Sequence, residues 1–237
     1  MSKIDRRNWL AGAGALLLAP GLAAAAEPDT PYDYLFLDLE TAPAGMTPAR
    51  AYAEAVKAQL PAIAAAGGVV LGLFTPQIGW VARQAALLVR WTPGGKGREA
   101  AVGGLMRGKT VRLGQRGRLA PTSRPEAVDR PRPGGIYVHR WFVVEAKNVP
   151  EFLSLSVEGW RDFETRFDAH IFGLFTAERS PTDRRDGVTR LLLITRYKDH
   201  GVWETSRDPT TAAMAAFGRR QAITRDTWNA STLLAPI

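Results

Sequence analysis

The chain contains no cysteine. That excludes disulfides, thiolate nucleophiles, cysteine-held metals and a lipidated cysteine. Histidine is scarce as well: His139, His170 and His200 are the whole supply, and no two stand at the i, i+4 spacing of a helical metal pair. A preformed metal site is therefore not expected. The most continuous apolar stretch near the start, Trp9 to Leu18, falls short of the roughly 20 residues that span a bilayer. Gly-x-Ser-x-Gly, the Walker loop and the dinucleotide fingerprint are all missing, and Gly94-Gly95-Lys96-Gly97 lacks the spacing and the following Ser or Thr of a phosphate loop.

What is present begins with a leader. Residues 1–26 carry a basic start (Lys3, Arg6, Arg7), an apolar middle and the small-residue end Ala24-Ala25-Ala26. Asp5-Arg6-Arg7-Asn8-Trp9-Leu10 resembles a twin-arginine export signal, with an ordinary secretory leader as the other route. Either predicts a periplasmic or secreted protein cut near Ala26, with no stable membrane anchor after cleavage. The net charge of +8 invites a nucleic-acid reading. Its distribution argues against one: the leader holds 3 basic residues and 1 acidic, the stretch from Lys96 to Arg132 holds 10 and 3, and 18 basic against 19 acidic remain elsewhere. No nucleic-acid partner is expected, and the basic 96–132 stretch reads as a solvated connector.

Gly-Leu-Phe-Thr occurs twice, at Gly72–Thr75 and Gly173–Thr176, and the segments around the two copies follow one order. A strand-like run (Tyr34 to Glu40; Ile136 to Glu145) leads to Pro48 or Pro150 and about twenty residues of helical pattern. After the tetrapeptide, apolar runs end in Arg90-Trp91 and Arg196-Tyr197, and Leu-Ala-Pro closes each unit at Leu119 and Leu234. The offset drifts from 101 to 106, which assigns the insertions to loops.

Leu35, Leu37 and Leu39 alternate with Tyr34, Phe36 and Asp38, so the leucines should lie under helices. Thr47 and Pro48 open a helix that Gly67-Gly68 stops. A further helix is expected from Asp208 to Trp228, followed by a short strand at Thr232 to Leu234. The fold class is α+β: two ferredoxin-like βαββαβ modules, residues 30–122 and 134–237, joined by a Pro/Arg-rich linker at 123–133 and packed sheet to sheet as a pseudo-dimeric α/β barrel. The mature protein should exist as a monomer or homodimer.

Tyr137-Val138-His139-Arg140-Trp141-Phe142, followed by Asn148-Val149-Pro150-Glu151-Phe152, resembles the opening of a NIPSNAP-family domain. Gly173–Thr176, Arg196-Tyr197 and Trp203-Glu204-Thr205-Ser206-Arg207 are similar to its later segments. The opening of that family carries a Glu where this chain has Val138, so a role for that carboxylate does not transfer. The resemblance implies the dimeric α/β-barrel superfamily, which holds cofactor-free monooxygenases, haem-dependent enzymes and non-enzymes.

The expected function is small-molecule binding between the two sheets, with no cofactor; the alternative is a haem-linked or cofactor-free oxidoreductase. At an offset of 102, Asp38 and Arg140 are equivalent and both line the space between sheets, where they would pair or hold a polar ligand. At 101, Asp38 would match His139 instead. Arg90 and Arg196 occupy equivalent strand ends, to hold an anion or pair with a nearby carboxylate. The 102 offset turns His139 toward the helices. His170, beside Asp168, is the residue a haem would use, and His200 belongs to a solvated turn.

Overall fold

The computed structural model describes residues 30–40, 42–107 and 111–237; the leader reading falls outside them. β1 (Tyr32–Leu39), α1 (Pro48–Ala65), β2 (Gly68–Ile78), β3 (Gln84–Trp91), α2 (Arg98–Leu105) and β4 (Val111–Arg124) make the first half. The second contains β5 (Ile136–Glu145), α3 (Val149–Arg166), β6 (Ala169–Ala177), α4 (Pro181–Arg185), β7 (Val188–Tyr197), α5 (His200–Thr205), α6 (Ala212–Ala222) and β8 (Thr224–Ala235). The strands close a barrel in the order β1-β3-β2-β8-β5-β7-β6-β4, every pair antiparallel. Each half contributes the ferredoxin-like order 4-1-3-2, and the seams are β2–β8 and β4–β6. Four antiparallel steps separate β1 from β5, so both run the same way and the pseudo-twofold lies along the barrel axis.

Three apolar layers result. Leu35, Leu37 and Leu39 meet Tyr52, Val56 and Ile63 of α1, as their alternation predicts. Val138, Phe142 and Val144 meet Phe152, Trp160 and Phe163 of α3. The barrel interior is aromatic, built from Tyr32, Tyr34, Phe74, Tyr137, Trp141, Phe172 and Phe175. Thr47 caps α1 by accepting from the Arg50 amide, and Gly67 at φ 75 ends it.

The repeated tetrapeptide has a steric cause. Each copy sits at a β-bulge, between Val70 and Gly72 and between Ile171 and Gly173. The bulge turns Phe74 and Phe175 into the barrel, and their rings fold back over the glycines two residues earlier. A Cβ on Gly72 would stand 2.5 Å from Leu234 Cδ1, and one on Gly173 2.8 Å from the Phe175 ring.

Several expectations change. The basic 96–132 stretch is not an irregular connector: it forms α2 and β4, because its arginines have acidic partners. Arg116 pairs with Asp33 and Glu99, Arg118 with Glu99, and Arg112 with Asp38 and Glu40. β4 also runs into the stretch read as linker. The last helix ends at Ala222 rather than Trp228, since Thr224, Thr227 and Trp228 are β-branched or aromatic and continue as β8 beside β5. The charged segment Ser180–Gly187 contains α4, held by a capping box between Ser180 and Asp183.

Candidate functional site

The pairings fix which residues of the two halves correspond. Tyr32 lies opposite Arg90 and Tyr137 opposite Arg196, so Tyr32 matches Tyr137 and the offset along the first strands is 105. An offset of 102 has the wrong parity. His139 therefore points into the barrel and Arg140 toward the helices, the reverse of what that offset implies. Asp38 and Arg140 do not meet: Asp38 sits at the barrel rim with Arg112 at 3.1 Å, an exposed pair of small energetic weight.

Arg90 and Arg196 do share one end of the barrel. Arg196 bonds to Asp168 and to the Gly134 carbonyl, both at 3.1 Å, whereas one buried Arg90 nitrogen has no hydrogen-bond partner. His170 lies outside the barrel centre, with Nδ1 3.1 Å from Glu164. Burial pushes the Glu164 carboxyl up, but hydrogen bonds from His170, the Ile171 amide and Arg124 outweigh it and hold the pKa at about 2. His200, exposed, begins α5 directly after the Asp199 cap.

At the barrel centre Tyr34 Oη and His139 Nδ1 are 2.8 Å apart, both fully buried. Burial raises the phenol and pushes the imidazole down to about 3. The two groups share one hydrogen bond through Nδ1, while Nε2 has no hydrogen-bond partner and lies among the rings of Phe74 and Trp80. Close aromatic packing around this pair leaves the interior a core.

The cavity lies elsewhere. A space of about 250 Å3 opens between the second sheet and α3 and α6, with Trp160, Phe163, Leu193 and Phe217 on its apolar wall. Three cations converge there: Arg140 from β5, Arg207 after α5 and Arg220 from α6. Arg220 is 4% exposed, bonds Ser156 Oγ at 3.1 Å and lies over the rings of Phe142, Phe152 and Phe217. Burial lowers its pKa to about 9, with the neighbouring Arg140 and Arg207 acting in the same direction and Tyr197 opposing them. Arg140 is lowered too, by burial and by Arg207. Among the described residues no carboxylate pairs with any of the three. A larger groove of about 650 Å3 runs along Pro121, Leu153 and Arg161 on the outside of α3 but is open to solvent. We place the site in this partly enclosed cavity, where buried Arg220 and half-buried Arg140 and Arg207 mark it.

Sequence reasoning named Arg140 but put it on the wrong face, and it missed Arg207 and Arg220. Arg220 was legible only as an arginine at the apolar-facing position of a helix also carrying Ala213 and Ala216. Haem does not fit this cavity. Its wall offers no histidine, and Tyr197 is a phenol that burial drives away from the phenolate iron would need. The volume is also below the 300 to 1,000 Å3 that is common for pockets of drug-sized ligands.

No family model and no curated protein matches the chain. Solved structures do. A chlorite dismutase variant from Candidatus Nitrospira defluvii aligns at TM-score 0.54 and 9% identity, over 88% of this chain and 93% of that one. A haem-binding protein from Thermus thermophilus aligns at 0.52 and 13%, over 86% and 90%. An anthrone oxidase-like protein aligns at 0.50 and 15%, over 88% and 92%. Similarity at this identity carries the architecture: the chain has the dimeric α/β-barrel, ferredoxin-like fold, with both halves in one polypeptide.

Proposed function

We propose that this is an exported, NIPSNAP-like protein that binds a small organic molecule without a cofactor, in the cavity under α3 and α6. One observation carries the reading: Arg140, Arg207 and Arg220 line a partly enclosed space with no acidic partner among the described residues. Arg220 is buried and Arg140 and Arg207 are half-buried; clustering such cations without counter-charge is costly, and a bound anion would offset that cost. The NIPSNAP likeness rests on Tyr137 to Phe142 and on Trp203 to Arg207, and both segments supply cavity residues.

Native mass spectrometry and an absorption spectrum of the protein purified from its own compartment test this. A colourless chain that retains one small molecule, lost in Arg140→Met, is expected. A Soret band would overturn the reading in favour of a haem-linked oxidoreductase. Export is tested by sequencing the mature N-terminus, expected at Glu27, and by Arg6→Lys with Arg7→Lys, expected to retain the protein in the cytoplasm.

A further inference from the structure

The cavity has a counterpart in the first half of the barrel, and there the chain supplies its own anion. With Tyr32 matched to Tyr137, Asp33 takes the strand position of Val138. The Asp33 carboxylate is fully buried. It accepts from Arg98 at 2.9 and 2.9 Å, from Arg116 at 2.7 and 2.8 Å and from the Trp91 indole at 2.8 Å. Two guanidiniums and a ring N–H thus close on one planar carboxylate. In the second half this carboxylate is missing, since Val138 stands in its place, and the cations come from other positions: Arg140 takes the place of Leu35, Asn229 that of Arg116, and Arg207 and Arg220 complete the set.

Resting on the reading that the cavity holds the ligand, we infer that the ligand is a monocarboxylate on a small, flat apolar body, and that each chain binds one. The carboxylate replaces what Asp33 provides in the first half. Guanidiniums prefer a planar, two-oxygen partner over a point charge, which favours a carboxylate. The rings of Trp160, Phe163 and Phe217 suit a flat hydrocarbon, and about 250 Å3 limits its size to one or two rings. The Asp33 cluster fills the corresponding position in the first half, which sets the stoichiometry.

Isothermal titration of the full chain separates charge from shape. Benzoate is the probe, benzyl alcohol and benzamidine are its neutral and cationic analogues, and inorganic phosphate carries charge without the body. Benzoate should bind at one per chain, at least tenfold more tightly than either analogue and than phosphate. Arg140→Met and Arg220→Met should each weaken it at least tenfold; Arg140→Met should do so with no fall in melting temperature, whereas Arg220→Met also loses the Ser156 bond and the ring contacts. Val138→Asp, which installs the carboxylate of the first half, should raise the melting temperature and weaken benzoate at least tenfold. Two benzoates per chain, equal binding of benzamidine or benzyl alcohol, or benzoate binding unchanged in Arg140→Met and Val138→Asp would overturn the inference. Arginine-dependent binding of phosphate but not benzoate would overturn the ligand class and leave the binding role standing. If no probe binds, native mass spectrometry decides: a retained molecule refutes only the ligand class, and an empty chain refutes both.

Discussion

Two buried side chains set the sharpest expectations at the scale of the residue. Replacing Asp33 by Asn leaves Arg98 and Arg116 partly buried without their shared charge, so denaturant unfolding should show a loss of about 3 to 5 kcal/mol. His139 makes stability depend on pH. Its folded pKa is about 3, below the ordinary 6.5, so the unfolded chain takes up a proton first as pH falls. The contribution is intact above pH 6.5 and is lost between there and about 3. Melts across that range should show a decline that His139→Gln reduces, even if the variant is less stable throughout; an equal slope in both proteins would remove His139 as its source. Neither residue announced its place in the sequence. Asp33 precedes a strand of alternating leucines and reads as a strand edge, and the location of His139 depended on an offset that three residues of loop drift reversed.

Elements were more legible than residues. Thr47-Pro48 and Gly67-Gly68 bracket α1 because caps and stops are local chemistry. The α2–β4 segment was hidden because the partners of its arginines lie on β1 and on α2 itself, too far along the chain for composition to reveal. The α3–α6 packing gives a test at this scale. Gly159 lets α3 approach α6 so closely that an added Cβ would collide with the Phe217 ring. Gly159→Ala gains about 1 kcal/mol of helix propensity. Overpacking typically costs about 1 to 3 kcal/mol, so the net effect should be a loss of up to about 2 kcal/mol. Because Phe217 also walls the cavity, affinity for benzoate should fall with it. A stabilised Gly159→Ala variant with full affinity would show that the helices have room to separate.

The twofold architecture was readable in the whole sequence because a repeated order of elements survives loop insertions. Barrel closure adds a consequence for folding: each half pairs with the other along both seams and shares one aromatic interior. Tryptophan fluorescence and circular dichroism should therefore report a single coincident unfolding transition, and two separated transitions would contradict a shared core. The hydrogen bond at the centre belongs to this scale as well. Tyr34 and His139 occupy matching positions, so the pseudo-twofold axis passes between them. In a homodimer a residue on the axis meets its own copy, tyrosine against tyrosine or histidine against histidine. Joining the halves in one chain removes that constraint, and the centre holds a donor against an acceptor. Neither half, paired with itself, would recreate the tyrosine–histidine bond at the middle of the barrel.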